Sequence, residues 1–192
     1  MPAEVDRPAL RQDAILDAAF AAFSNYGYRR TAMEDIAQSV GISRSALYLH
    51  FRNKEDIFKS LAARYFDEAA INVAEALANP GKTGAETLTN AFFAYDGKIM
   101  EVVLGTAHGA EMLEAGHLVS ADLVIAGEAR IHKLLEKWLE SQALPAGLGT
   151  AQALAATVLS ALKGLKQTAK TLENHRASQA QLAQVLALAL GR

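Results

Sequence analysis

The stretch Thr31 to Asp56, TAMEDIAQSVGISRSALYLHFRNKED, holds two short helical runs separated by Gly41-Ile42-Ser43. Helices joined by so tight a turn must cross steeply and approach closely. That geometry calls for a small residue on the first helix, a glycine at the turn, and apolar residues pinning both helices to a third. Ala37 stands four residues before Gly41, Ile42 follows it, Leu47 anchors the second helix, and Ile36 and Val40 lie beneath. This is helix-turn-helix spacing. Thr31 is placed to cap the first helix, with Glu34 completing a capping box, and Ser43 to cap the second. Once the apolar positions are buried, Arg44, Ser45 and Tyr48 remain outside, all able to touch bases or phosphates in a major groove. The Arg44 fork can engage one guanine twice, which is worth roughly 1–3 kcal/mol of discrimination. Thr31 and Lys54 flank the motif where phosphates would lie, one at a helix N-terminus and the other as a point charge.

Outward from this stretch the pattern stays helical. Ile15, Leu16, Ala19, Phe20, Phe23 and Tyr26 recur at helical spacing from Ala9, and Gly27 supplies a stop. Asn53 can cap a longer helix from Lys54 to about Ala78, and Asn79 to Gly84 is the clearest loop. Five further helices are predicted at about 85–104, 105–115, 120–141, 150–173 and 177–190. Their breaks are Gly105, Gly116, the run Leu144 to Gly149, and Asn174-His175. No segment has strand period. The expected fold is all-α with about nine helices: a three-helix helix-turn-helix domain over 1–55, then a helical bundle over 56–192.

Composition narrows the function classes. Hydrophobic residues make up 51% of the chain and charged residues 21%, the balance of a globular protein rather than a disordered one. The absence of cysteine removes disulfides, thiolate metal sites and cysteine nucleophiles. The N-terminal residues are too polar for a signal peptide, and no apolar run approaches the roughly 20 residues of a membrane helix. A cytoplasmic protein without a membrane partner is therefore expected. A net charge of −2 argues against indiscriminate coating of nucleic acid. No acidic residue lies between Asp35 and Glu55, however, while Arg44, Arg52 and Lys54 all do. Catalysis finds little support: there is no phosphate loop, no paired acids with telling spacing, and no partner for His50 as a base. His108 and Glu111 share a helical face, but no third ligand is fixed by spacing, so neither metal nor cofactor is expected.

The larger region carries two further signals. Leu154, Val158, Ala161 and Leu165 form one stripe of their helix, and Ala155, Leu159 and Leu162 form another. The last helix, with Leu182, Val185 and Leu186, is apolar around most of its circumference. A helix apolar on two faces is buried on two sides, by its own domain and by a partner subunit or by one central core. Among the middle helices, Phe92, Phe93, Tyr95, Met100, Leu104, Met112 and Trp138 offer apolar walls for a ligand, and His108 a polar handle. Filled core is an equal reading for each of them taken singly.

The pattern Ala-x-x-x-Gly-Ile-Ser-x-x-x-Leu-Tyr-x-His-Phe-x-x-Lys-x-x-Ile, from Ala37 through Ile57, resembles the signature of TetR-family transcriptional regulators. The run Ile15 to Ala19 and the segment Phe23 to Gly27 resemble that family's first helix, so the likeness covers about residues 11–61. It implies a homodimer on a palindromic double-stranded operator, usually a repressor, released by a small molecule. Residues 56–192 would then be the effector-binding and dimerisation domain, with a four-helix interface built from the last two helices. Carried over residue by residue, the likeness marks Thr31, Ser43, Arg44, Ser45, Tyr48, His50 and Lys54 as DNA contacts. Leu49 departs from it, standing where many relatives have a second aromatic residue. An activator built on the same module, a helical ligand-binding protein, and an enzyme are the alternatives.

Overall fold

A left-handed glycine closes the turn on which the N-terminal helices depend. Gly41 has φ 72°, and beyond it the Ile42 N–H donates to the Ala37 carbonyl at 3.0 Å while the Gly41 N–H donates to that of Gln38 at 3.1 Å. These bonds satisfy carbonyls that a helix end otherwise leaves bare. The computed structural model describes residues 7–191. Among them are ten α-helices, one 3₁₀ turn and no strand.

Helix α1 (Arg7–Tyr26), α2 (Met33–Val40) and α3 (Arg44–Tyr48) form the N-terminal unit. They enclose Ile15, Leu16, Ala19, Phe23, Met33, Ile36, Ala37 and Leu47, all buried. Helix α4 (Lys54–Ala78) begins with Asn53, whose side-chain oxygen accepts from the Asp56 N–H at 2.8 Å. At 25 residues it is about 37 Å long. Its first turns place Ile57, Phe58 and Leu61 in the N-terminal core, so that core runs past residue 55. Its later turns place Phe66, Ala69, Ala70 and Val73 in a second core.

That second core is built by α4 with α5 (Gly84–Asp96), α8 (Ala121–Glu140), α9 (Ala151–Thr168) and α10 (Leu172–Ala189). The 3₁₀ turn Ala146–Leu148 lies between α8 and α9. Two short helices, α6 (Ile99–Gly105) and α7 (Gly109–Val119), complete the chain. The α6–α7 corner is tight because Gly109 lies against the Val103 backbone, where any Cβ would collide with the Val103 carbonyl. Met112 and Ala115 of α7 enter the N-terminal core, so α7 joins the two units.

Three breaks differ from the sequence expectation, one of them Gly116, which lies within α7 rather than ending a helix. The single helix predicted over 85–104 is interrupted at Gly97, whose φ of 54° turns the chain and rephases every face beyond Asp96. Asn174 and His175, read as a break, lie in the first turn of α10. The chain breaks earlier, and Thr171 caps α10 by accepting from the Asn174 N–H at 3.2 Å. Of the residues expected at a subunit interface, Val158 and Leu186 are buried in this chain's own core. Leu154, Ala161, Leu165 and Leu182 are half-buried, and only Val185 is well exposed. The 3.6-residue period shows that α9 and α10 have two apolar faces but not which one the chain itself fills. No helix among the described residues is long and apolar enough to cross a membrane.

Candidate nucleic-acid interface

Helix α3 stands on Leu47, which is fully buried and fixes which way the rest of the helix faces. The Ser43 side chain accepts from the Ala46 N–H at 3.1 Å, starting the helix and tying down its N-terminal end. Ser43, Arg44, Ser45 and Tyr48 are exposed together on one surface, and His50 is half-buried beside them. Leu49 is 86% exposed beside them.

Arg44 is held where it stands. Its guanidinium pairs with Glu34 of α2, donates to the Tyr48 hydroxyl at 3.4 Å and lies 5.5 Å from the Tyr48 ring centre. The Tyr48 hydrogen bond, then the Glu34 carboxylate, hold its pKa above the ordinary arginine value. The sequence pattern makes Glu34 half of a capping box, but the cap is made differently. Asp35, the third residue of α2, accepts from the Ala32 N–H at 2.8 Å. Glu34 and Arg44 are ten residues apart, and only the crossing of α2 over α3 brings them together. Linear spacing carries no sign of the pair.

Two of the expected DNA contacts are engaged inside the protein. Thr31 is buried, and its hydroxyl donates to the Gly27 carbonyl at 2.8 Å. Its backbone N–H donates to the same carbonyl at 3.2 Å. Neither donor faces outward, because the chain makes one more turn after α1 before entering α2. The Lys54 ammonium donates to the carbonyls of Tyr28, Arg29 and Thr31 at 2.9, 3.0 and 3.2 Å. An ammonium has three hydrogens, and all three are used. Lys54 thus closes the α1–α2 turn from the start of α4.

That turn is also braced from the other side. Glu111 of α7 accepts from the Arg29 N–H at 2.8 Å, and His108 Nδ1 lies 3.5 Å from the Glu111 carboxylate. Gly27, at φ 88°, faces both, and a Cβ there would strike Glu111. His108 is therefore a neighbour of the N-terminal unit rather than a handle in a pocket.

The expected ligand walls do not form one cavity. Phe92 and Tyr95 are filled core of the bundle, Trp138 is packed against that core, and Met112 belongs to the N-terminal core. Leu104 is half-buried on α6. Phe93 and Met100 line a cleft that they share with Asp96, Leu172, His175, Arg176 and Gln179. The early end of α5 at Gly97 explains the scatter. Among the described residues no three metal-ligating side chains come together.

Residues 15–61 match the model of bacterial regulatory proteins of the tetR family. The chain carries a TetR-family N-terminal domain. Over 56 residues it is 39% identical to the biofilm operon icaADBC negative transcriptional regulator IcaR of Staphylococcus epidermidis, covering 29% of this chain and 30% of that one. Over 59 residues it is 37% identical to the transcriptional repressor ComR of Escherichia coli, covering 31% of this chain and 28% of that one. The chain thus spans under a third of the length of these curated relatives. The whole fold has wider company. The fatty acid degradation regulator FadR of Bacillus halodurans superposes with a TM-score of 0.69 at 16% identity, over 92% of this chain and 94% of that one. The TetR-family regulator PfmR of Thermus thermophilus does so with 0.64 at 23%, over 88% and 97%. The matches to these curated relatives span 56 and 59 residues, and the likeness to these solved structures, under 25% identical, is one of fold.

Proposed function

We propose that this chain is a sequence-specific, DNA-binding transcriptional regulator, a cytoplasmic repressor that reads a palindromic operator as a homodimer and is released by a small molecule. The observation that supports it most is the surface of α3. Arg44, Ser45 and Tyr48 project from a short helix whose opposite side is locked by Leu47. Such a helix can enter a major groove with its polar side chains against base edges, while Ser43 and His50 border the same surface. Arg44 reads guanine in this account, and the exposed Leu49 meets a thymine methyl or sugar. Repression is the reading because IcaR and ComR are described as a negative regulator and a repressor.

An exposed apolar face on α10 supports the homodimer in this reading. Val185 and Leu188 of α10 are exposed at 58% and 66%, on a helix whose other side is already packed. Beside them α9 exposes the small residues Ala156, Ser160 and Gly164. Two copies joined there would carry two α3 helices, which must stand about 34–36 Å apart to enter successive grooves. Helix α4 is the lever between ligand and DNA, since its ends lie in different cores. Ligand and operator must then weaken each other's binding by the same factor.

The test is selection of binding sites from random duplexes, followed by affinity measurement with an Arg44→Ala, Tyr48→Ala double variant. Enrichment of a palindrome, and loss of affinity in the variant, are expected. Undiminished affinity in the double variant would remove α3 as the reading element. Each neutralised phosphate should add about −0.9 to the log–log salt slope.

A further inference from the structure

The bundle holds a buried polar network that neither the reading helix nor the dimer face uses. Asp96 ends α5. Its Oδ1 lies 2.9 Å from the Lys166 ammonium of α9, and its Oδ2 lies 2.5 Å from His175 Nε2 of α10. Gln179 Nε2 donates to the same Oδ2 at 2.8 Å and to the Phe92 carbonyl at 3.2 Å. Lys166 also donates to the Tyr65 hydroxyl of α4 at 2.9 Å, which donates in turn to the Tyr95 carbonyl at 2.7 Å. Burial would depress the Lys166 pKa, but Tyr65, Tyr95 and Asp96 together outweigh it and hold the pKa above the ordinary lysine value.

Charge bookkeeping assigns the imidazole. Lys166 already balances Asp96, so a second buried cation would have no counter-ion and would be costly. A carboxylate only accepts, so the hydrogen between the two groups is on Nε2, and a neutral ring carries a lone pair on Nδ1. The His175 side chain is 1% exposed, and Nδ1 has no hydrogen-bond partner. Buried polar atoms in that condition are rare enough to need a reason. His175 is among the residues that line the cleft between α5, α6 and α10, whose walls are Phe93, Met100 and Leu172.

We infer that this cleft binds a small neutral molecule whose hydroxyl donates to His175 Nδ1 and whose apolar body rests on Phe93, Met100 and Leu172. Neutrality follows from the lining. Asp96 is paired with Lys166 and Arg176 with Glu101, so the cleft offers no uncompensated charge to attract an anion or a cation. Arg176 is already paired with Glu101 at 2.5 Å, so it does not call for an anionic ligand. Size follows from the space. The cleft measures about 210 Å³ with its open mouth, and its enclosed part admits about one water-sized group. A hydroxyl fits inside, and a small ring fits at the mouth when the exposed Arg176 side chain swings aside. The bond from Lys166 to Tyr65 connects the occupied cleft to α4. That last step, control of DNA binding, rests on the regulator reading above; the site itself does not.

The experiment uses the full chain with ¹⁵N-labelled histidine and three probes of one size: phenol, toluene and benzoate. Phenol is expected to shift the His175 Nδ1 resonance saturably, with toluene and benzoate at least about tenfold weaker, the equivalent of one lost hydrogen bond. Leu172→Trp, which plugs the cleft from outside the network, should abolish the phenol response, and His175→Phe should abolish binding measured calorimetrically. Equal binding of phenol and toluene, a Nδ1 signal answering only to solvent water, or full phenol binding in Leu172→Trp would each overturn the site. Affinity for the selected operator is measured separately, with and without phenol. If no operator is bound while phenol still binds, the regulator reading fails and the site stands.

Discussion

Around Leu47 the interior of the N-terminal helices is aliphatic and aromatic; of its buried hydroxyls, Ser24 and Thr31 donate to nearby carbonyls and Tyr28 has no partner. Around Asp96 the interior of the bundle holds a carboxylate, an ammonium, an imidazole and an amide from three different helices. The first arrangement is specified locally: a turn, a few apolar positions and one lysine hold α3 to a fixed surface, leaving its polar side chains for outside contacts. The second is specified by pairing across long separations, where each partner's removal strands another. A unit of the first kind suits a rigid reading head. A unit of the second kind suits a body with more than one stable arrangement, because its polar contacts can be exchanged for those of a ligand.

The largest expected effect tests whether the polar network holds the bundle. Asp96→Ala leaves Lys166 without its carboxylate, and breaking a buried pair from one side costs about 3–5 kcal/mol. Urea denaturation followed by Trp138, the chain's one tryptophan, should show a loss of that size. The double variant Asp96→Leu, Lys166→Met should recover much of it, since no charge is then stranded. A loss below about 1 kcal/mol in the single variant would mean that water reaches the network, and the contrast between the two interiors would collapse.

The next effect lies in the N-terminal unit. Lys54→Met keeps the aliphatic stem and removes three charge-assisted bonds to the α1–α2 turn. Lys54 is only half-buried, so the expected loss is about 1.5–3 kcal/mol rather than three full bonds. Hydrogen exchange should show faster exchange in α1 and α2 with α8 and α9 unchanged. Equal acceleration in every helix would show one cooperative unit instead of two.

How much of this was legible follows the same divide. Ala37, Gly41 and Leu47 revealed the helix-turn-helix because every requirement of that turn lies within eleven residues. The outward surface of Arg44, Ser45 and Tyr48 followed from it. The bonds of Thr31 and Lys54 within the chain were not legible, because their partners are main-chain carbonyls of a turn whose path no side-chain pattern records. The network was invisible for a stronger reason. Asp96 and Lys166 are seventy positions apart, on two different helices, and nothing in either helix marks them as partners. Reading 85–104 as one helix then moved the faces of Met100 and Leu104 and with them the expected pocket. Gly97 was the available signal, and a lone glycine within a helical pattern is weak.

A smaller effect probes the joint between the two interiors. Gly27 has φ 88°, where a side chain is strained, and its missing Cβ leaves room for Glu111. Gly27→Ala should cost about 1–2 kcal/mol for the left-handed backbone. It should also loosen the Glu111 bond to the Arg29 N–H, seen as faster exchange of that amide. A Glu111→Gln variant removes the charge beside His108 without touching the backbone. If it matches Gly27→Ala in stability, the cost lies in the brace; if it is silent, the cost lies in the turn.

The smallest effect concerns Arg44, and its direction is the informative part. Glu34 and Arg44 are both well exposed, at 50% and 62%, so their ion pair contributes little to folding and stability should be unchanged in Glu34→Gln. On DNA the same carboxylate works against the reading helix, since it competes with bases and phosphates for the guanidinium and repels the backbone. Glu34→Gln should therefore tighten binding to the selected operator by severalfold at low salt, under about 1 kcal/mol, with the gain shrinking as salt screens it. Binding to unrelated duplexes should tighten at least as much, so discrimination falls. If specific affinity falls instead, Glu34 is positioning the fork for guanine rather than withholding it. Its bond to Arg44 would then belong to the reading geometry in the same way that Leu47 does from within.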